Sequence, residues 1–443
     1  MWVIWLEEIL NKLEADGLRL IELHFSDLHG NIKSVTIPAK RATEALTKGI
    51  WFDGSSIEGF TRICESDMFL KPDRDTYAVL PWTNGEKARF ICDVYTHQGK
   101  PFEGDPRGIL KKMVEKGKSL GYEYMAGPEI EFFLFKSNGN GELVPHDSGG
   151  YFDFSPMDLA SEIRKEIIYD LEKFGIEVEA GHHEVGKGQH EIDFRYGKAV
   201  ETADRTLTLK YVIKSVALKY GLIANCMPKP IYKHAGSGMH VHQSFNDIKT
   251  GENLFYDEKD PYNLSGLAKH FVAGQLKHAK ALSAVVSPTV NSYKRLVAGY
   301  EAPVYISWAC TNRSALIRIP KILPGAKKAA RCELRCPDPS ANPYLAFSVM
   351  LAAGLDGIEN KLTLPKPVEE NIYHLEEATL AERNIERLPS SLIEAINELK
   401  KDKLILDSLG KHTSEMYLKA KEEEWLEYSM QITDWELKKY MNR

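Results

Sequence analysis

Four segments of the chain place ionisable side chains on one face of a predicted β-strand and apolar side chains on the other. Side chains alternate between the faces of a strand, so Glu129 and Glu131 of GPEIEFFLF share a face opposite to that of Ile130. The other segments repeat the alternation, with Glu191 in GQHEIDFRY, His240 and His242 in GSGMHVHQS, and Arg331, Glu333 and Arg335 in RCELRCP. The pattern predicts an antiparallel sheet with one apolar and one polar face.

The polar face of these strands has two interpretations. An ordinary half-solvated sheet explains any one strand taken singly. The whole set favours a metal site, because Glu, His and Arg predominate where a solvated face usually carries Lys and Thr, and because HHEVGKGQHE adds His183 and Glu184 close to Glu191. Crowded carboxylates have raised pKa values unless a cation compensates them.

The donor atoms narrow the choice of metal. Several carboxylates with one or two imidazoles suit hard ions such as Mg²⁺ or Mn²⁺, whereas zinc more often takes His and Cys. The nearby arginines are either surface ion pairs or cations that clamp phosphates: Arg295, Arg313, Arg318, Arg331 and Arg335. Two or more ions, these arginines and the lack of a Walker-type loop indicate phosphoryl transfer, for which a two-metal phosphohydrolase is one possibility.

Composition and length exclude several classes of protein. A chain of 443 residues predicts two or three domains, and its formal net charge of -6 gives no reason to expect nucleic acid or an anionic membrane as a partner. The N-terminal segment is too acidic for a signal peptide, and no run reaches the roughly 18 apolar residues that cross a bilayer. The six cysteines form no CxxC pair, and Cys332 and Cys336 are interpreted as core thiols. We expect a soluble cytoplasmic protein with small-molecule partners.

The order of the predicted elements indicates an α+β chain of two domains, residues 1–104 and 105–443. The first contains a helix over Ile4–Leu13, a hairpin from LRLIELHF and IKSVTIPA, a short helix near residues 42–47, a segment WFDGSSIEGF without regular structure, and strands at DTYAVLPW and ARFICDVY. A helix capped by Asp105 opens the second domain. That domain also contains a predicted helix from Ser155 to Gly175 and a mostly helical tail after Asn342.

Two further segments have the composition of mobile loops. DGSS contains Asp53, which serves either as a base or as an ordinary turn residue. NSYKRLVAGYEAPVY contains Glu301 beside Gly299 and Pro303, so it is either a loop that closes over a site or an ordered connection. For both segments, only the predicted metal site favours the functional interpretation over the structural one.

Seven motifs resemble, in order and spacing, the signatures of class I glutamine synthetase. They are DGSS, GPEIEFF, HHEVGKGQHEI, GSGMHVHQS, NSYKRLVAGYEAPV, TNRSALIRIP and RCELRCPDPSANPYL, and they extend over effectively the whole chain. The resemblance implies an N-terminal β-grasp domain and a larger catalytic domain whose curved antiparallel sheet is flanked by helices. It also implies a homo-dodecamer of two stacked hexameric rings, with each active site between neighbouring subunits.

The resemblance also implies the reaction of a glutamate–ammonia ligase. ATP phosphorylates the γ-carboxylate of L-glutamate, and ammonia then attacks γ-glutamyl phosphate to give L-glutamine, with Mg²⁺ or Mn²⁺ as cofactors. Alternatives within the family are a ligase for an amine such as putrescine or methylamine, and a catalytically silent nitrogen-signalling homologue. Asp53, Ser56 and Glu301 favour ammonia as the substrate, since amine ligases tend to lose the ammonium-site Asp. The intact metal ligands argue against a catalytically silent homologue.

Each position that matches the family carries an implied role. The metal ligands are Glu131, Glu184 and Glu191 for one ion and Glu129, His240 and Glu333 for the other. The glutamate contacts are Gly236, Arg295 and Arg335, and the ammonium site takes Glu301, together with Asp53 and Ser56 from the neighbouring subunit. Arg313 and Arg318 face the transferred phosphate, and the nucleotide positions are Glu179, Tyr196, His242, Ser244, Lys328 and Arg331.

A few positions depart from the family pattern. Ala235 replaces a common Asn and removes a glutamate contact, Ala298 replaces a common Pro and loosens the loop of Glu301, and Lys187 is unusual in its motif. The chain lacks the insertion of the subtype adenylylated at a tyrosine like Tyr373. The resemblance therefore favours the α-type subtype, which glutamine inhibits through an arginine such as Arg62, and it implies nitrogen-regulator proteins as further partners.

Overall fold

The described part of the chain folds around two β-sheets, a five-stranded sheet near the N-terminus and a ten-stranded sheet in the remainder. The computed structural model describes residues 2–57, 59–60, 67–139, 142–299 and 302–443, with side chains from residue 6 onward.

The small sheet has the strand order β2-β1-β5-β4-β3. Its strands are β1 (Leu20–Ser26), β2 (Ile32–Pro38), β3 (Ile50–Asp53), β4 (Asp67–Val79) and β5 (Lys87–Thr96), accompanied by helices α1 (Trp2–Ala15) and α2 (Ala42–Lys48). The predicted hairpin of β1 and β2 is confirmed. β1 and β5 run parallel, and the other neighbours run antiparallel.

The prediction that WFDGSSIEGF lacks regular structure is wrong for its first residues. Ile50–Asp53 pairs antiparallel with β4, with Ile50 opposite Leu70. Ile50 is 4% exposed in the core of the small sheet, whereas Trp51 on the other face is 58% exposed. The Gly and Ser residues follow Asp53, and the partner strand lies farther along the chain, so local composition could not reveal this pairing.

The large sheet is centred on β6, a strand of 16 residues. Its strands are β6 (Tyr122–Ser137), β7 (Leu143–Pro145), β8 (Val178–His183), β9 (Gln189–Phe194), β10 (Gly197–Lys198), β11 (Ile223–Asn225), β12 (Met239–Asp247), β13 (Tyr305–Ala309), β14 (Ala315–Arg318) and β15 (Cys332–Leu334). The main path runs β13-β14-β15-β12-β6-β9-β8, and β7, β10 and β11 pair with β6. The predicted antiparallel pairing holds except between β13 and β14, which run parallel.

Twelve α-helices follow the small sheet among the described residues, and all of them except the exposed α14 contribute side chains to the hydrophobic core of the large sheet. They are α3 (Pro106–Ser119), α4 (Ser161–Lys173), α5 (Ala199–Lys219), α6 (Gly266–Lys277), α7 (Ala279–Val286), α8 (Ser292–Arg295), α9 (Pro343–Glu359), α10 (Glu377–Glu382), α11 (Leu392–Lys401), α12 (Lys403–Leu409), α13 (Lys411–Ser429) and α14 (Asp434–Tyr440). The tail after Asn342 is helical as predicted. Among the described helices, none is long and apolar enough to cross a membrane.

Helix α4 begins at Ser161, not directly after Ser155 as predicted. The Asp158 carboxylate accepts a hydrogen bond from Ala160 N and also binds Arg164, and these contacts hold the residues before the helix in a turn. The prediction of a C-terminal glycine is confirmed, since Gly175 has a φ of 72°.

A buried arginine links the small sheet to helices of the larger part of the chain. Arg107 lies in the first turn of α3, whose N-cap is Asp105 as predicted. Its guanidinium donates to Asp73 and Asp93 of the small sheet, at 2.8 and 2.7 Å, and to both carboxylate oxygens of Asp204 in α5, at 2.9 and 2.8 Å. Burial alone would lower the pKa of Arg107, but the charge of Asp204 outweighs it and keeps that pKa well above its usual range.

Replacing Arg107 with alanine is expected to lower the free energy of unfolding by about 3 kcal/mol, because three aspartates lose a shared, buried cation. Urea titrations at a fixed protomer concentration measure the change. Arg19→Ala is the control, since its ion pair with Glu86 is exposed and is worth less than about 1 kcal/mol. Equal free energies of unfolding for the two variants would show that the buried contacts of Arg107 do not stabilise the fold more than an exposed ion pair does.

Candidate active site

The strand alternation predicted from the sequence is confirmed around β6 and β12. Ile130, Met239, Val241, Cys332 and Leu334 are at most 1% exposed and belong to the hydrophobic core. The residues between them face the opposite side of the sheet, where β6 lies between β12 and β9. Two clusters of ionisable side chains form on this polar face.

The β12 cluster consists of Glu129, His240, His242 and Glu333. Antiparallel pairing places His240 opposite Glu129 and His242 opposite Glu333. His242 Nε2 donates to Glu129 Oε1 at 2.6 Å, and His240 Nδ1 lies 3.4 Å from Glu129 Oε2 and 3.6 Å from Glu333 Oε1. Ligand atoms of Glu129, His242 and Glu333 lie within 4.8 Å of one another, a spacing that can hold a metal ion.

The surroundings of the β12 cluster keep its carboxylates ionised. Burial alone would raise the pKa of Glu333, but nearby His242 and Arg335 outweigh it and lower that pKa. Hydrogen bonds to His240 and His242 likewise outweigh burial at Glu129 and lower its pKa. Burial and the charge of Arg335 lower the pKa of His240 to about 4, so its imidazole is neutral at pH 7. These are the protonation states that metal ligation requires.

The β9 cluster consists of Glu131, His182, Glu184 and Glu191. Glu191 of β9 lies opposite Glu131 of β6 on one side and opposite His182 of β8 on the other. His182 Nε2 is 3.2 Å from Glu191 Oε1, and His182 Nδ1 is 3.6 Å from Glu184 Oε1. Burial and neighbouring carboxylates raise the pKa of Glu131 to about 8 and that of Glu191 to about 9. Burial also raises the pKa of Glu184, so the cluster has the electrostatics predicted for crowded carboxylates.

Two residues of the polar face were missed by the sequence reasoning. His182, rather than the singled-out His183, lies beside Glu184 and Glu191, and its position two residues before Glu184 was the available signal. Asp193 follows Glu191 at the same spacing and lies opposite Glu129. Burial and the charge of Glu191 raise the pKa of Asp193 to about 9.

A cavity of about 310 Å³ adjoins the β12 cluster. It is lined by Glu129 and by six of the predicted nucleotide residues: Glu179, Tyr196, His242, Ser244, Lys328 and Arg331. Arg331 Nε donates to His242 Nδ1 at 3.1 Å, which orients the imidazole toward Glu129. Arg318 instead forms an ion pair with Glu333. The cavity and the β12 cluster thus share Glu129 and His242.

Arg295 and Arg335 lie buried beside the clusters. The Arg295 guanidinium donates to the main-chain carbonyls of Arg335 and Cys336, at 3.1 and 2.8 Å. A side chain at Gly236 would place Cβ 2.5 Å from the carbonyl oxygen of Pro228 and 2.9 Å from Arg295 Cγ, so only glycine fits there. Arg335 Nε has no hydrogen-bond partner among the described residues, which leaves a buried donor for an acidic ligand.

Three further predicted site residues are exposed. Asp53 and Ser56 are exposed at the end of β3 in the small sheet, where Asp53 Oδ1 accepts a hydrogen bond from Ser55 N at 2.8 Å. Arg313 is exposed between β13 and β14. Glu301 and Arg62 lie outside the described residues.

Both parts of the chain match known protein families. Residues 17–97 match the family described as "Glutamine synthetase, beta-Grasp domain", and residues 103–440 match "Glutamine synthetase, catalytic domain". The chain belongs to the glutamine synthetase family. The predicted resemblance is therefore confirmed, and so is an α+β fold with a β-grasp domain and a larger catalytic domain.

Full-length relatives carry the same family name. The chain is 55% identical over 440 residues to "Glutamine synthetase" of Thermotoga maritima, covering 98% of this chain and 99% of that one. It is 49% identical over 442 residues to "Glutamine synthetase" of Clostridium saccharobutylicum, covering 99% and 98%. The solved structure "GmaS/ADP complex-Conformation 1" superposes with a TM-score of 0.89 at 32% identity and covers 98% of this chain and 99% of that one. Glutamine synthetases use glutamate, ammonia, ATP and divalent metal ions.

Proposed function

We propose that this chain is a glutamate–ammonia ligase that joins ammonia to the γ-carboxylate of L-glutamate through γ-glutamyl phosphate, with ATP as phosphoryl donor. One observation carries this proposal. Glu129 and His242 both line the predicted nucleotide cavity and both belong to the β12 cluster. Arg335 contacts Glu333 of the same cluster at 2.7 Å, so the phosphates of ATP and an acidic substrate would meet at one place.

The two clusters fit two or more Mg²⁺ or Mn²⁺ ions. Carboxylate oxygens with few imidazoles are the donors that such hard ions prefer. We assign Glu131, Glu184 and Glu191 to one ion, and Glu129, His240 and Glu333 to the other, which the ATP phosphates approach. His182 and His242 lie close enough to contribute as well. Bound ions would neutralise negative charge on the phosphoryl oxygens.

The residues of the chain then have distinct tasks. Gly236 leaves room for Arg295, which binds the α-carboxylate of glutamate, and Arg335 binds its side-chain carboxylate. Arg313 and Arg318 stabilise charge on the transferred phosphoryl group. The remaining nucleotide contacts come from the cavity: Glu179, Tyr196, His242, Ser244, Lys328 and Arg331.

The second step uses the ammonium site. Asp53, with Ser56 beside it, accepts a proton from ammonium, and the resulting ammonia attacks the mixed anhydride while phosphate leaves. Glu301 completes this proposed ammonium site, and exclusion of water during the step would prevent hydrolysis of the intermediate. Because Asp53 is exposed on the small sheet, we propose that it acts in the site of a neighbouring subunit.

An assay of phosphate release tests the reaction. Phosphate is expected from ATP only when glutamate, ammonium and Mg²⁺ or Mn²⁺ are all present, with glutamine as the second product. Comparable rates with putrescine or methylamine in place of ammonium would instead assign an amine ligase. ATP hydrolysis without glutamate and ammonium would assign a phosphohydrolase.

Binding of Mg²⁺ is expected to release protons at pH 7, because the ion displaces them from Glu131 and Glu191, whose pKa values are raised by burial and by the neighbouring carboxylates. Affinity for the ion should therefore rise with pH from 6 to about 9. Calorimetry in buffers of different ionisation enthalpy counts the protons, and Glu191→Gln should release fewer. Binding without proton release would contradict the assignment of the β9 cluster.

We propose a homo-dodecamer of two hexameric rings, of α-type, with residues 1–104 and 105–443 as its two domains per chain. Exposed apolar side chains near the C-terminus, at Met430, Ile432, Trp435 and Met441, favour a covered surface there. Light scattering should give twelve times the chain mass of 50.1 kDa. Glutamine would inhibit through Arg62, and the free thiols of the described cysteines suit the reducing cytoplasm.

A further inference from the structure

A buried aspartate contacts both ends of the turn that carries Glu184. This turn, residues 184–188, connects β8 to β9, and Glu184 is its first residue. Asp147 Oδ1 accepts a hydrogen bond from His183 Nε2 at 2.9 Å, just before the turn, and another from Gly188 N at 2.9 Å, at its end. Asp147 lies on a segment that follows β7, so the contacts are not local in sequence.

His183 also contacts Glu184, the residue whose carboxylate is the proposed metal ligand. Its Nδ1 lies 2.6 Å from the main-chain carbonyl oxygen of Glu184, while its Nε2 faces Asp147. The His183 and Asp147 side chains are 0% exposed. A Cβ at Gly149 would lie 2.8 Å from His183 Nε2, so the backbone of that residue covers the imidazole closely. The pair cannot move without breaking buried hydrogen bonds.

A separate cation site at this pair is disfavoured, although Asp147, His183 and His190 offer ligand atoms within 4.8 Å of one another. Both ring nitrogens of His183 already face oxygen atoms, and Arg164 Nη1 lies 3.0 Å from His190 Nδ1. An ion would have to displace these partners and would lie beside the positive charge of Arg164.

We infer that Asp147 and His183 are positioning residues that hold the turn of residues 184–188, so that the Glu184 carboxylate stays beside Glu191 and the ion they bind. This inference rests on the proposed function, because it takes Glu184 and Glu191 as metal ligands. Groups behind metal ligands fix their orientation, and their loss typically weakens metal affinity about 10- to 100-fold.

Titration of the full-length enzyme with Mn²⁺, followed by electron paramagnetic resonance of the free ion, tests the inference. Asp147→Ala is expected to weaken one class of Mn²⁺ site about 10- to 100-fold, and kcat should recover when Mn²⁺ is raised by the same factor. Asp147→Asn can keep an oxygen in the place of Oδ1 and should retain most of the affinity. Asp170→Ala removes a similarly buried carboxylate from α4 and should leave Mn²⁺ binding unchanged.

His183→Gln is the second variant, in case Asp147→Ala does not fold. A glutamine can reach Asp147 but loses the contact with the Glu184 carbonyl, so weaker Mn²⁺ binding is expected here too. Native Mn²⁺ affinity in Asp147→Ala or His183→Gln would overturn the positioning role. So would a kcat that stays low at saturating Mn²⁺. If the unchanged enzyme bound no Mn²⁺, the proposed function itself would fail.

Discussion

Glu333→Ala is expected to lower glutamine formation by about 10³-fold or more, because it removes a buried carboxylate that we assign to a metal ion and that pairs with Arg318 and Arg335. Glu333 is 0% exposed, contacts Arg335 at 2.7 Å and also pairs with Arg318. His240 Nδ1 lies 3.6 Å from its Oε1. Its removal therefore takes away the negative charge that balances Arg318 and Arg335.

A second substitution separates the loss of an ion from the loss of fold. Glu333→Gln keeps the size of the side chain and one oxygen for an arginine, but it lacks the charge that a divalent ion requires. It should be nearly as inactive as Glu333→Ala while remaining more stable to urea. Glu123→Gln, which removes an ion pair with Lys198 at the far end of β6, should retain full activity. An active Glu333→Gln enzyme would contradict the assignment of Glu333 as a metal ligand.

Asp53→Asn is expected to lower glutamine formation about 10²- to 10⁴-fold, the range for loss of a general base. The amide keeps the shape of the side chain and its hydrogen bond from Ser55 N, but it cannot take a proton from ammonium. Formation of γ-glutamyl phosphate does not need this base. Trapping that intermediate with hydroxylamine should therefore remain efficient, and an equal loss of trapping would argue against the role of Asp53 in the second step.

Mixed assemblies test whether Asp53 acts in a neighbouring subunit. Asp53→Asn and Glu333→Gln chains, each inactive alone, are unfolded together and refolded as a mixture. If each site combines Asp53 of one chain with Glu333 of the next, random mixing restores about a quarter of the native activity. Sites contained within one chain would stay inactive, because every chain carries one of the two lesions.

The fold could be predicted where its signals are local. The hairpin of β1 and β2, the cap of α3 at Asp105 and the alternating faces of β6 and β12 depend on neighbouring residues, and the structure contains all of them. Strand β3 and the start of α4 were wrongly predicted, because β4 and the contacts of Asp158 lie outside the local pattern. The parallel pairing of β13 with β14 was missed for the same reason.

In the candidate site too, local patterns predicted some residues, whereas others depended on long-range pairing. Glu129 and Glu131 were recognised because their spacing of two puts them on one strand face. The choice between His182 and His183 needed the register of β8 against β9, in which His182 lies opposite Glu191. The seven family motifs then connected the strands to a known reaction, which periodicity alone could not do.

By itself, the sequence determined the residue types available for chemistry and the family of the chain, because donor atoms, strand alternation and motif order are properties of the printed residues. Only the tertiary structure decided which of these groups meet. Glu131 meets Glu191 because β6 pairs with β9, and Asp147 reaches both ends of the Glu184 turn from another segment. Strand register is set by long-range packing, where a shift of one residue would turn each carboxylate to the opposite face.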